Sequence, residues 1–191
     1  MENEVLALIV SFLAMTMVVI SYFVKIKKYY LLFQSLCIVF LILSYLFTAE
    51  FFAMIGLSIG LVRSLVFYYY EKKGIEAPIY LSFLISFATI VSYFIVNLGI
   101  LKTAKPVDIL CIIPLVMYAF IFRIRNLKIV RFTMLVPTAI SILYNTLANA
   151  TVFVVLSYTF ELTANVVSIC KYHIFNKEEK TQLKENTYEN D

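Results

Sequence analysis

Residues 29–70 read YYLLFQSLCIVFLILSYLFTAEFFAMIGLSIGLVRSLVFYYY, forty-two residues interrupted by two charges, Glu50 and Arg63. A helix crosses the hydrocarbon core of a bilayer in about 20 residues, so this stretch is two crossings long. Its polar break, Thr48-Ala49-Glu50, divides it into two spans joined by a very short turn. The whole chain agrees with a lipid solvent: of 191 residues 62% are hydrophobic and 15% charged, and the mean hydropathy is +0.91. So little polar surface cannot cover a core in water, whereas lipid asks for polar groups only at loops and ends.

Upstream, residues 5–24 form an apolar run behind the acidic start Met1-Glu2-Asn3-Glu4. A secretory signal peptide has a basic start and a shorter apolar region, so this run reads as the first permanent span. Downstream of Lys72-Lys73-Gly74, residues 77–101 are uncharged and make span four, with Pro78 in a first turn where proline is tolerated. A loop at 102–106 leads to span five at 107–122, which carries Asp108 near its start and Pro114 inside. Residues 132–174 are again double length and break at the polar turn 145–149, giving spans six and seven. The charged stretch 176–191 reads as a disordered tail. The expectation is an all-α integral membrane protein with seven transmembrane helices over 1–175.

The basic residues give the orientation. The connections after spans one, three and five, together with the tail from Lys171, hold thirteen of the sixteen lysines and arginines; Lys102 and Lys105 lie on the other side and Arg63 within a span. The positive-inside rule then predicts an outside N-terminus and a cytoplasmic C-terminus. Spans one to three are a helix, a basic loop and a hairpin, and spans five to seven repeat that order. Two parallel three-helix units, about 5–71 and 107–175, would be joined by an inverting linker helix at about 77–101. A displacement of 98 sets Lys25-Ile26-Lys27 on Arg123-Ile124-Arg125, and one of 99 sets Tyr45, Ala49 and Ser58 on Tyr144, Ala148 and Ser157.

This plan resembles the SWEET sugar facilitators and their PQ-loop relatives. A closer resemblance is to the YgjV-type bacterial inner-membrane proteins, over nearly the whole chain before the tail. It rests on the basic loop followed by Gln34-Ser35, on Gly60-Leu61-Val62-Arg63, and on Tyr144-Asn145 with Ser157, Glu161 and Asn165. The chain departs from the PQ-loop pattern in having no proline-glutamine pair, only Pro114 and Pro137 inside spans, so sugar specificity is not carried over. The resemblance implies the bacterial inner membrane as location.

The polar residues inside spans carry the functional reading. Arg63 lies about eight residues, roughly 12 Å, from the basic end of span three, and Glu161 near the midplane of span seven. A charge there costs several kcal/mol unless it is paired or hydrated. Arg63 and Glu161 are related by a displacement of 98 and are expected as partners across a central site, with Asn165 one turn from Glu161 and Gln34 on span two supplying amides. Two readings stay open: a SWEET-like permease whose central site takes a small polar solute, or a non-transporting scaffold, receptor or immunity-type protein whose Arg63–Glu161 pair only fixes helix register. Gly56, Gly60 and Ser64 form a small-residue ridge for close helix packing within the chain, a homo-oligomer being left open.

Other chemistry lacks its residues. There is no HExxH, GxSxG or Walker loop, and the aspartates are Asp108 and Asp191 alone, so neither an enzyme nor an ATP-driven pump is expected. Cys37, Cys111 and Cys170 form no CxxC pair, and neither a metal nor another cofactor is expected. With the charge gathered in loops, the partner is the lipid bilayer and not nucleic acid.

Overall fold

The computed structural model describes residues 2–48, 51–95, 109–148 and 152–175. These form seven helices: α1 (Glu2–Phe23), α2 (Lys27–Thr48), α3 (Phe51–Lys72), α4 (Ile79–Phe94), α5 (Ile109–Ile121), α6 (Leu127–Leu147) and α7 (Val152–Ile169). A π-helical turn, Cys170–Phe175, continues α7. The described residues contain no strand. Within α1, α2 and α6 lie three segments long and apolar enough to cross a membrane, Val5–Phe23, Lys27–Phe47 and Leu127–Leu147; α4 and α5 are shorter apolar helices.

Local chemistry sets the helix ends. α3 stops at Gly74, whose φ of 69° is costly for any residue with a Cβ. There the amides of Gly74 and Ile75 turn back to the carbonyls of Glu71 and Tyr70. Pro78, in extended conformation, precedes α4. Asn126 caps α6, its side chain accepting from the Lys128 amide at 2.9 Å. In the first hairpin α2 ends at Thr48 and α3 begins at Phe51, on either side of the expected break. The second differs from expectation: Asn145 and Thr146, expected in the turn, belong to α6. Asn145 Nδ2 donates to the Ser141 carbonyl and Thr146 Oγ1 to that of Ile142, so both satisfy themselves on their own helix, and Ala148 takes the cap position. Asp108, Lys102, Lys105, Glu50 and the tail 176–191 lie outside the described residues.

Each helix packs on the next in chain order, and α7 returns to α1, so the seven close into a ring. Apolar faces point outward: Phe12 on α1, Phe83 and Phe87 on α4, Leu143 on α6 and Val166 and Val167 on α7 are exposed. Lipid tails are as apolar as these side chains, so the seams rely on close packing and hydrogen bonds. Small hydroxyls supply many of them. Ser11 meets Ser44 at 2.7 Å between α1 and α2, Ser35 donates to Ser64 at 2.8 Å between α2 and α3, and Ser82 donates to the Ala119 carbonyl at 2.9 Å between α4 and α5.

Candidate functional site

Arg63 is 7% exposed. Its Nη1 donates to the Leu115 carbonyl at 3.2 Å, and its guanidinium lies over the rings of Tyr118 and Phe122, 5.2 Å from each centroid. Leu115 and Tyr118 are on α5 and Phe122 directly follows it, and α5 is not a ring neighbour of α3. Arg63 therefore reaches across the interior of the ring. Its Nε–H is buried without an acceptor.

Glu161 is half-buried and accepts from the Tyr22 hydroxyl of α1 at 2.7 Å. Between the two charges runs an aromatic path. Tyr22 meets Tyr30 edge-on at 5.7 Å, Tyr30 meets Phe122 at 6.1 Å, and Phe122 carries Arg63. Tyr30, fully buried, leaves its hydroxyl without a partner.

The expected direct Arg63–Glu161 pair is not formed: the ion pairs among the described residues are Lys27–Glu71 at 2.9 Å and Arg123–Glu76 at 3.0 Å. The reason is the ring order. α1 and α2 separate α7 from α3, so each charge turns to nearer aromatic and carbonyl groups. The direct partnership expected of Arg63 and Glu161, whether as a structural pair or across a central site, is therefore absent among the described contacts.

The two expected amides serve seams. Gln34 Nε2 donates to Ser21 Oγ at 3.1 Å between α2 and α1. Asn165, fully buried, donates to the Arg131 carbonyl at 2.9 Å between α7 and α6, and its Oδ1 has no partner. The small-residue ridge divides. Ser64 donates to the Leu31 carbonyl of α2 at 3.2 Å, and a Cβ on Gly60 would stand 3.8 Å from both Ile38 Cδ1 and Arg63 Nη2. A Cβ on Gly56 would meet nothing within 4 Å, so the close approach of α3 to α2 is at Gly60 and Ser64.

Arg131 is the residue whose place the sequence pattern conceals. Expected in a basic connection, it sits in the second turn of α6, 2% exposed, and its Nη2 donates to the carbonyls of Tyr22 at 2.9 Å and Val24 at 2.6 Å. It thereby caps the C-terminal end of α1, where the orphan carbonyls carry partial negative charge. Ser168 and Tyr172 bond the Tyr22 and Phe23 carbonyls, and the Arg131 guanidinium lies 4.9 Å over the Tyr172 ring.

The family model for the bacterial inner membrane protein Imp-YgjV matches residues 5–175. The chain belongs to the Imp-YgjV family. No curated protein and no solved structure matches it. The match runs from the first turn of α1 to the end of the π-helical turn, so Arg63, Glu161, Arg131 and all seven helices fall within Imp-YgjV. Membership places the protein in the bacterial inner membrane, in contact with the bilayer, in keeping with its apolar helices.

Proposed function

We propose that the chain is a small-molecule permease of SWEET-like plan: two parallel three-helix units around α4 as linker, the N-terminus outside and the basic end in the cytoplasm. The observation that carries this reading is the unspent capacity of two opposite charges inside one ring. Arg63 keeps a buried N–H without an acceptor, and Glu161 accepts one hydroxyl although a carboxylate offers about four lone-pair directions. A buried charge left so incompletely bonded is costly, and intramembrane ionisable groups of this kind mark pathways. A solute with a hydroxyl or carboxylate for Arg63 and a donor for Glu161 would fit, flanked by the rings of Tyr22, Tyr30, Tyr118 and Phe122.

The test is counterflow of sugars, small carboxylates and nucleosides in proteoliposomes. At least one class should exchange, and Glu161→Gln should abolish that exchange while leaving the fold intact. Absence of flux for every class would sink the proposal in favour of a non-transporting scaffold. Topology is tested separately: single cysteines in the 25–28 loop and at Glu50 should be labelled from opposite faces by an impermeant thiol reagent.

A further inference from the structure

The basic end of the ring holds a cavity of about 560 Å³, away from Arg63 and Glu161. Five cations, Lys25, Lys27, Arg125, Lys128 and Arg131, line it with a single carboxylate, Glu71. That carboxylate is already engaged by Lys27 at 2.9 Å. Among the described residues, four positive charges therefore face one concavity with no further acid in its lining. Arg131 is held rigidly by its two carbonyl bonds, whereas Lys25, Arg125 and Lys128 are exposed. Two helices also begin here: Ile26 and Lys27 open α2, and Asn126, Leu127 and Lys128 open α6. Helix starts carry partial positive charge, while the carbonyls that end α1 nearby are already bonded by Arg131, Ser168 and Tyr172, so the net preference for an anion comes from the side chains.

Topology alone places basic residues in loops, but it does not gather two loops a hundred residues apart around one hollow. We propose that this cavity binds a phosphate-bearing anion, the headgroup of an anionic lipid being the source its surroundings fit best. Phosphate presents several acceptor oxygens to separately placed cations. Ile26 lines the cavity and is 52% exposed, and Ile129 and Phe132 nearby on α6 are exposed too, so the cavity opens onto an apolar outer surface that acyl chains can follow. Basic pockets between helices at a membrane face recognise such headgroups.

The purified full chain in non-ionic detergent is titrated with phosphatidylglycerol, phosphatidylcholine and inorganic pyrophosphate, and bound species are counted by native mass spectrometry. The test variant is Lys25→Gln with Lys128→Gln. The control, Lys28→Gln with Lys73→Gln, removes the same charge at the same end but outside the cavity lining. Phosphatidylglycerol should bind in preference to phosphatidylcholine and lose about thirtyfold in apparent affinity in the test variant, at roughly a factor of five per lysine near the surface. The control should lose much less. Pyrophosphate binding with the same dependence on Lys25 and Lys128, without preference among the lipids, would support the phosphate site and assign its ligand to the aqueous phase. No preference for any phosphate-bearing anion over phosphatidylcholine, or equal losses in test and control variants, would overturn the proposal.

Discussion

Arg63 and Arg131 are both buried in the same bundle and held in opposite ways. Arg131 lies near the basic end, gives two short bonds to the carbonyls that end α1, and is backed by Asn165, Ser168 and Tyr172. Arg63 lies deeper, rests on two aromatic rings, and has one longer bond to a helix carbonyl that the next turn of α5 already uses. Burial alone does not separate them, since 2% and 7% exposure are nearly the same. What separates them is the number and place of their carbonyl bonds, two at a helix end for Arg131 and one in mid-helix for Arg63, because a buried Nε–H without an acceptor is common to both. A guanidinium bonded twice at a helix end does structural work, whereas one with a single mid-helix bond has capacity for a ligand.

The largest expected effect comes from breaking the better-satisfied partner. Arg131→Gln should lower stability by about 3 kcal/mol or more, because each bond from a charged donor contributes about 1.5–3 kcal/mol. Arg131→Lys should recover little of it, as one ammonium lacks the guanidinium fork. Arg63→Gln should cost only about 1 kcal/mol, the lost bond being offset by removal of an incompletely bonded buried charge. Thermal unfolding in detergent, read by loss of the monodisperse peak, ranks the three. Equal losses for Arg63→Gln and Arg131→Gln would erase the contrast.

A smaller effect tests the seam beneath Arg63. Gly60→Ala should be tolerated, because a Cβ there meets Ile38 and Arg63 at ordinary contact distance. Gly60→Leu should cost about 1–3 kcal/mol through overpacking. Gly56→Leu, opening onto empty space, should change little by the same assay.

The smallest expected value is a coupling. A double-mutant cycle with Arg63→Gln and Glu161→Gln should give less than about 0.5 kcal/mol, since the two side chains touch different partners. A buried ion pair would instead show about 3–5 kcal/mol when one partner is removed. By the same argument, exchanging the two charges should not restore stability. Strong coupling would return the pair to the structural role of fixing helix register.

Much of the fold is legible in the sequence because bilayer thickness sets the length of an apolar run. The seven helices among the described residues, and their approximate bounds, follow from counting residues between charges. Neighbours are less legible. Nothing in the pattern singles out Tyr22 from fourteen tyrosines as the partner of Glu161, because a hydroxyl inside a span looks the same whether it faces lipid or the interior. Arg131 is hidden for a different reason: three other basic residues within eight positions account for it by topology, and its inward turn depends on where α1 ends. Asn145 and Thr146 resemble a turn because their polarity is visible and their bonds to their own helix are not.

The central claim is that Arg63 and Glu161 face a shared interior that admits water and solute. In a chain with Cys37, Cys111 and Cys170 replaced, a cysteine at Glu161 should react with a small, membrane-impermeant thiol reagent added from one side. A transported solute should slow that reaction. A cysteine at the exposed Val166 or Val167, on the apolar face of the same helix, should not react. Equal silence at Glu161 and at those outer positions would mean a dry interior and would contradict the account.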